Sequence, residues 1–337
     1  MNPYKQWVTK KIPFIVLSIA LITLVPLHLL NRSYQDANLS GKEYLLQKNP
    51  RIIFAGDSRA ERQLNPAVAA RLLHIPKDDV VNIAVTAGDP LMIESLIDRY
   101  PQQFSRATVI VCMSANQIND GAKWKKYFST AMIARMNIFE QISMFLPFDF
   151  RTWKNYYRSI LYQLFGIEEE PHTDEFVETN GFYAVTGEIN VKLLEDGAGG
   201  ADVKQTKKII HPWYMDYHSS GKKQQLLRQS LQAIAPRVGR LIVFTGPFDP
   251  SYLRAIRHSP LYEYEMDFEA KLSELCRELH IPFKNFLEHP LLLDKHFYDS
   301  AHLNVEGADI FTEIVIREFF DLPEQTTGQS PDVAEKH

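Results

Sequence analysis

Apolar positions fall into one long run and several short ones, and this contrast organises the chain. Ile12 to Leu30 is nineteen residues without Asp, Glu, Lys or Arg, enough for one helix across a hydrocarbon core about 30 Å thick. Lys5, Lys10 and Lys11 precede it, so the positive-inside rule puts residues 1–11 in the cytoplasm and everything after residue 30 on the outer side. Pro26 kinks or ends the helix near its outer end. A cleaved signal peptide and a buried core helix are the alternatives. A signal peptide has an apolar region of about 7–15 residues and a small-residue cleavage site. This run is longer and leads into Asn31-Arg32-Ser33-Tyr34.

After a polar stretch (31–50), expected to be a stalk with a short helix around Lys42 to Gln47, five short apolar runs follow. They are Arg51 to Ala55, Val80 to Val85, Ala107 to Met113, Arg240 to Thr245 and Ile281 to Phe286. Helical spacing separates them at Pro66 to Leu73, Pro90 to Tyr100, Lys222 to Ile234 and Phe268 to His280. Short apolar runs alternating with helical patterns predict a parallel sheet covered on both faces. Handedness rules favour a doubly wound, flavodoxin-like three-layer α/β/α sandwich with a five-stranded parallel sheet. That body spans 51–322. The interval 119–238 interrupts the rhythm with an aromatic, helix-like section (124–165) and a Glu- and Gly-rich loop, and is expected to be an insertion over the top of the sheet. Residues 323–337 are polar and predict a disordered tail.

Composition narrows the function. With 45% hydrophobic and 23% charged residues the chain can bury a sizeable core. A net charge of −4 argues against nucleic acid as a partner, because phosphate contacts need a concentrated positive face. Two cysteines, Cys112 and Cys276, supply neither a disulfide framework nor a Cys-rich zinc site. No metal or other cofactor is expected. Gly-x-Ser-x-Gly, P-loop and complete Gly-x-Gly-x-x-Gly motifs are absent, against a typical α/β-hydrolase, P-loop nucleotidase or Rossmann dehydrogenase.

Two segments carry chemistry. The first apolar run leads into Gly56-Asp57-Ser58-Arg59, at the carboxyl end of a strand, where open α/β sheets bind ligands. Serine there also serves as an ordinary helix N-cap. Near the other end stands Asp299-Ser300-Ala301-His302-Leu303-Asn304-Val305-Glu306-Gly307. A histidine can take a serine proton when an acceptor holds its other ring nitrogen, and a carboxylate three residues earlier on a tight turn can do that. Alone, Asp-x-x-His is equally a plain turn before a helix.

Together, Gly-Asp-Ser after the first strand and Asp-x-x-His-Leu-Asn-x-x-Gly before the last helix resemble the SGNH (GDSL-type) hydrolase superfamily. Its two other markers have counterparts in Gly88 after the second strand and Asn116 after the third. The resemblance implies the SGNH hydrolase fold, with Ser58 as nucleophile, His302 as general base and then acid, and Asp299 as orienting carboxylate. It also implies an oxyanion hole made by the backbone N–H groups of Ser58 and Gly88 and the side-chain amide of Asn116. Two positions depart from the family. The third block reads Ser114-Ala115-Asn116-Gln117 in place of Gly-x-Asn-Asp, with Asn119-Asp120 a second register, and Arg59 replaces the usual leucine. Arg59 is expected to face solvent or an anionic group, and Asp57, Arg59 and His296 to line the cleft.

A single anchor with an outward catalytic domain is similar in layout to the branch that O-acetylates exopolysaccharides or handles D-alanyl esters in the cell envelope. The resemblance therefore implies a polysaccharide or other acyl-ester substrate and a membrane-bound O-acyltransferase as partner. Transfer and hydrolysis share an acyl-serine, so an acyltransferase, an esterase and a non-catalytic glycan-binding scaffold are the three readings in that order. His211, Asp216 and His218 suggest a metal site only weakly, since no spacing forces them together. His289 and His296 precede Asp299 closely. Trp124, Tyr127, Trp153, Tyr156, Tyr157, Trp213 and Tyr214 either stack on sugar rings or pack the insertion onto the sheet.

Overall fold

The computed structural model describes residues 42–86, 88–121, 179–185, 214 and 216–322. The expected anchor, the cytoplasmic N-terminus, most of the insertion with His211 and its tryptophans, and the tail lie outside the described residues. Among the described residues no helix is long and apolar enough to cross a membrane.

Five strands form one parallel sheet: β1 (Ile52–Gly56), β2 (Val80–Asn82), β3 (Thr108–Met113), β4 (Arg240–Thr245) and β5 (Phe283–Asn285). Their order is β2-β1-β3-β4-β5, the doubly wound arrangement with its switch point between β1 and β3. β1 is buried along its whole length, as a central parallel strand covered on both faces must be.

Alternate residues of each strand feed two separate cores. Ile53, Val81, Val109, Val111 and Val243 point to one side, against α3 (Pro90–Arg99), α5 (Lys222–Ile234), α6 (Pro250–Ile256) and α7 (Pro260–Glu278). Phe54, Val80, Ile110, Cys112 and Phe244 point to the other, against α1 (Ser58–Gln63), α2 (Pro66–Leu73) and α8 (Val305–Phe320). A short helix α4 (Pro101–Ser105) leads into β3.

Several boundaries differ from the sequence pattern for identifiable reasons. β2 stops at Asn82 because that side chain turns the backbone: its oxygen accepts from Ala84 N–H (3.0 Å), while its nitrogen donates to the carbonyls of Ala60 (2.8 Å) and Leu64 (2.9 Å). α7 begins at Pro260, two turns before the expected start at Phe268. Glu265 and Glu269 occupy inward positions there, so the apolar period is broken by carboxyl groups. α5 is the crossover helix between β3 and β4, so part of the 119–238 interval belongs to the sandwich itself.

The stalk is corrected at its end. Residues 43–48 form a 3-10 turn whose Leu45 and Leu46 are fully buried in the first core. Lys42 is also buried and bonds Glu61 (3.1 Å) and the Ala84 carbonyl (2.6 Å). Glu43 accepts from Arg99 and Tyr100. The two leucines and these polar anchors bind the segment to the body.

Candidate active site

The turn that carries Ser58 is built where β1 ends. Gly56 adopts φ +124°, and a side chain there would collide with the Cys112 carbonyl on β3; only glycine meets both demands. Asp57 caps α1, its Oδ1 accepting from Arg59 N–H at 2.9 Å. Its Oδ2 accepts a short hydrogen bond from the Ser114 hydroxyl at the end of β3. Ser58 then opens α1, with 9% of its surface exposed.

The opposite wall is the turn before α8. Asp299 Oδ1 accepts from the backbone N–H groups of Ala301 and His302, both at 2.9 Å. The carboxylate also contacts His302 Nδ1 at 2.8 and 2.9 Å. Tyr298 N–H donates to the His302 carbonyl at 2.8 Å, closing the turn, and Phe297 and Leu303 pair across it. Burial alone raises the Asp299 carboxyl, but the bonds and charge of His302 and the two backbone donors outweigh it and hold the group below its ordinary range. Asn304 caps α8 by accepting from Gly307 N–H (3.0 Å), and a side chain on Gly307 would strike the His296 carbonyl.

These two walls meet. Ser58 Oγ lies 2.8 Å from His302 Nε2, so hydroxyl, imidazole and carboxylate are joined in series. Two hydrogen bonds brace the Asp299–His302 turn against its neighbours. Gln63 Nε2, at the end of α1, donates to the Ala301 carbonyl at 2.7 Å. Asp249 N–H, after β4, donates to the Ser300 carbonyl at 3.1 Å.

The expected oxyanion donors fare differently. Gly88 has both backbone groups engaged: its N–H donates to Val85 (2.8 Å) and its carbonyl accepts from Gln117 Nε2 (3.0 Å). Its lack of a side chain serves packing, because a Cβ would collide with the Gly56 carbonyl. Gly88 is thereby corrected from donor to spacer. Asn116 is held by its backbone, whose carbonyl accepts from Lys223 Nζ at 2.8 Å, and its amide oxygen is buried without a protein partner among the described residues. Asn119, the alternative register, is fully buried and accepts from Gly121 N–H (3.0 Å) and His218 N–H (2.8 Å), so it serves the loop instead.

Arg59 is also corrected. It is 0% exposed, neither in solvent nor in the cleft. Its Nε donates to Ser114 Oγ (3.1 Å), one terminal nitrogen to the Met113 carbonyl (2.6 Å) and Ser114 Oγ (2.9 Å), and the other to the Gly246 carbonyl (3.1 Å). Asp57 and His296, likewise expected in the cleft, are committed to structure. Asp57 is spent on its cap and on Ser114. His296 is buried, accepts from Leu293 N–H (3.0 Å) through Nδ1, and lies 3.6 Å from Glu306 through Nε2. His289 is half-exposed, and burial together with the neighbouring Lys284 lowers its pKa.

Two buried acids on α7, Glu265 and Glu269, lie close enough to Arg59 to feel its charge. Burial and the nearby Glu269 hold the Glu265 carboxyl at about 8; burial holds that of Glu269 at about 7, and Arg59 pulls both the other way. The Tyr214 hydroxyl donates a short bond to Glu265, which places this aromatic residue in packing. Ser114, Gln63 and Lys223 escape sequence reasoning. Each acts through a backbone or polar contact between residues 50 to 240 positions apart, and no local pattern marks it.

No family model matches the chain, and no curated protein does. Among solved structures it is similar to a protein from Bacteroides fragilis NCTC 9343, provisionally described as an acylhydrolase, at 12% identity and a TM-score of 0.33, covering 86% of this chain and 99% of that one.

Proposed function

We propose that this chain is an SGNH-type serine acyl-transfer enzyme whose nucleophile is Ser58. One observation carries the reading: the unbroken series from Ser58 Oγ through His302 to Asp299, with 2.8 Å at the serine and 2.8 Å at the carboxylate. Ser58 Oγ attacks an ester carbonyl while His302 Nε2 takes its proton. Asp299 keeps the imidazole in the tautomer that leaves Nε2 free to accept, and stabilises the imidazolium that results. The negative charge on the carbonyl oxygen falls to Ser58 N–H and the Asn116 side-chain amide. Collapse expels the alcohol, which takes its proton from His302, and leaves an acyl-serine. In the second half His302 deprotonates the acceptor, whose oxygen attacks the acyl-serine; Ser58 leaves as the tetrahedral intermediate collapses and takes that proton back from His302.

The acceptor decides between transferase and esterase, and transfer to a sugar hydroxyl is the favoured outcome. Support for it comes from the sequence: an apolar run long enough for an anchor and an outward body fit an enzyme acting on O-acyl groups, chiefly acetyl, of an envelope polysaccharide. An acyl group from the cytoplasm would then need a multi-span membrane-bound O-acyltransferase as donor.

Labelling of the full-length chain in detergent with a fluorophosphonate, read by intact mass, tests the nucleophile. A single adduct lost in Ser58→Ala is expected. An adduct that persists in Ser58→Ala, or a folded wild type that never labels, would sink the reading. Incubation with an activated acetyl ester and oligosaccharide then separates acetylated sugar from free acetate.

A further inference from the structure

Arg59 follows the nucleophile directly, yet its guanidinium turns away from the cleft into the protein. We infer that Arg59 is a positioning residue: it locks the end of β1 to the ends of β3 and β4, and so fixes Ser58 relative to Asn116. The inference rests on Ser58 being the nucleophile.

Proton accounting shows why the lock has only one arrangement. Ser114 Oγ has one hydrogen and two acceptor positions. Arg59 approaches that oxygen from two nitrogens, at 3.1 and 2.9 Å, and a guanidinium can only donate. The hydroxyl hydrogen must therefore go to Asp57 Oδ2, the carboxylate oxygen beside it. Asp57 in turn accepts from the backbone N–H of Arg59 itself. The result is a closed ring of hydrogen bonds, Arg59 to Ser114 to Asp57 to Arg59, with Ser58 between two of its members in sequence.

Ser114 is also the residue from which the oxyanion side hangs. It begins the 3-10 turn Ala115–Gln117, and its backbone N–H donates to Gln117 Oε1 at 3.2 Å. Asn116 sits in the middle of that turn. The remaining guanidinium donors extend the lock sideways, to Met113 on β3 and to Gly246 just past β4, and the group stacks 5.2 Å from the centre of the Phe248 ring. Three acceptors in divergent directions suit a rigid planar fork; a lysine ammonium on a flexible stem cannot satisfy them together. Leucine would leave the Met113 and Gly246 carbonyls and one face of Ser114 without these donors.

The chemical consequence is geometric. Oxyanion donors act only if aimed before the charge appears, and misplacement of reacting groups by about 1 Å can cost roughly 10² in rate. Losing the lock should therefore lower turnover without weakening substrate binding.

The test uses the full-length chain with Arg59→Met, Arg59→Lys and Ser114→Ala. Fluorophosphonate labelling rate, and kcat and KM on an activated acetyl ester, are measured well below each variant's melting temperature. Arg59→Met is expected to lose about 10–100-fold in labelling rate and kcat with KM within about twofold, and Arg59→Lys to recover part of the loss. A folded Arg59→Met that labels and turns over like wild type overturns the inference. If Arg59→Met does not fold, Ser114→Ala decides, since it opens the ring while leaving the Met113 and Gly246 bonds. A loss of about 3–10-fold in kcat supports the lock, and wild-type kcat overturns it. A wild type that does not label, or a Ser58→Ala chain that does, instead removes the nucleophile itself and this inference with it.

Discussion

The two walls of the site are constructed in opposite ways. The Asp299–His302 turn is nearly self-contained: one carboxylate oxygen gathers two backbone donors and the ring within four residues. The Ser58 turn depends on distant chain. Its glycine is fitted against Cys112, its cap is bonded to Ser114, and the following arginine reaches Met113 and Gly246. An imidazole needs only its tautomer and tilt, which a short turn can fix. A nucleophile with an oxyanion donor must be registered between strands, which takes long-range contacts. The placement of His302 should therefore tolerate changes elsewhere in the protein, whereas that of Ser58 should be sensitive to residues far from the cleft.

The largest effects should come from the three residues in series. Ser58→Ala and His302→Ala should abolish turnover, by about 10⁴-fold or more, with the fold retained. Asp299→Asn should approach the same loss by presenting the wrong tautomer. Circular dichroism alongside kcat checks all three, and substantial turnover by Ser58→Ala would break the proposal at its root. Next, Asn116→Ala should cost about 10²–10³ in kcat. Gly88→Ala should act differently: a Cβ pressed on the Gly56 carbonyl should destabilise the fold, seen as a lower Tm. If Gly88→Ala lost kcat with an unchanged Tm, the assignment of Gly88 as a spacer would be wrong.

A smaller effect is linked to pH. In the unfolded chain Glu265 and Glu269 titrate near about 4.3, whereas in the folded protein they keep their protons until pH about 8 and about 7. Between those limits the unfolded state binds fewer protons, so their contribution to stability falls as pH rises from about 4 to about 8. Glu265→Gln should flatten that fall and raise Tm at pH 8 by roughly 4 °C or more, with little change at pH 4. An equal shift at both pH values would show that the carboxyl's charge plays no part. Smallest is Gln63→Ala, which removes one bond between α1 and the Asp299–His302 turn while leaving Ser58, His302 and Asp299 in place. A drop of about 3–10-fold in kcat is expected; an unchanged kcat would mean that the Asp249–Ser300 contact suffices.

What was legible in the sequence follows the same division. The strands and α2, α3 and α5 could be read because apolar spacing and proline at helix starts are local signals. The Asp299–His302 turn could be read because its two side chains are three residues apart. Arg59 was misread because an arginine after a polar motif looks like a surface residue; its acceptors are two backbone carbonyls and a serine that spacing does not connect to it. α7 was shortened because Glu265 and Glu269 stand where an apolar stripe was sought. The resemblance assigns Gly88 an oxyanion role, but what requires glycine there is the closeness of Gly56, a contact across strands. Leu45 and Leu46 were lost in a polar context too short to show a period.

The docking of residues 42–48 has a mechanical consequence. Lys42 grips Glu61, which lies on the same helix as Ser58 and three residues further on, and Leu45 and Leu46 are sunk in the core behind it. A pull applied at residue 42 would therefore reach the body directly. It would pass through the Lys42–Glu61 pair as a load on the first turn of α1, and yielding of that pair would release the helix from the pull.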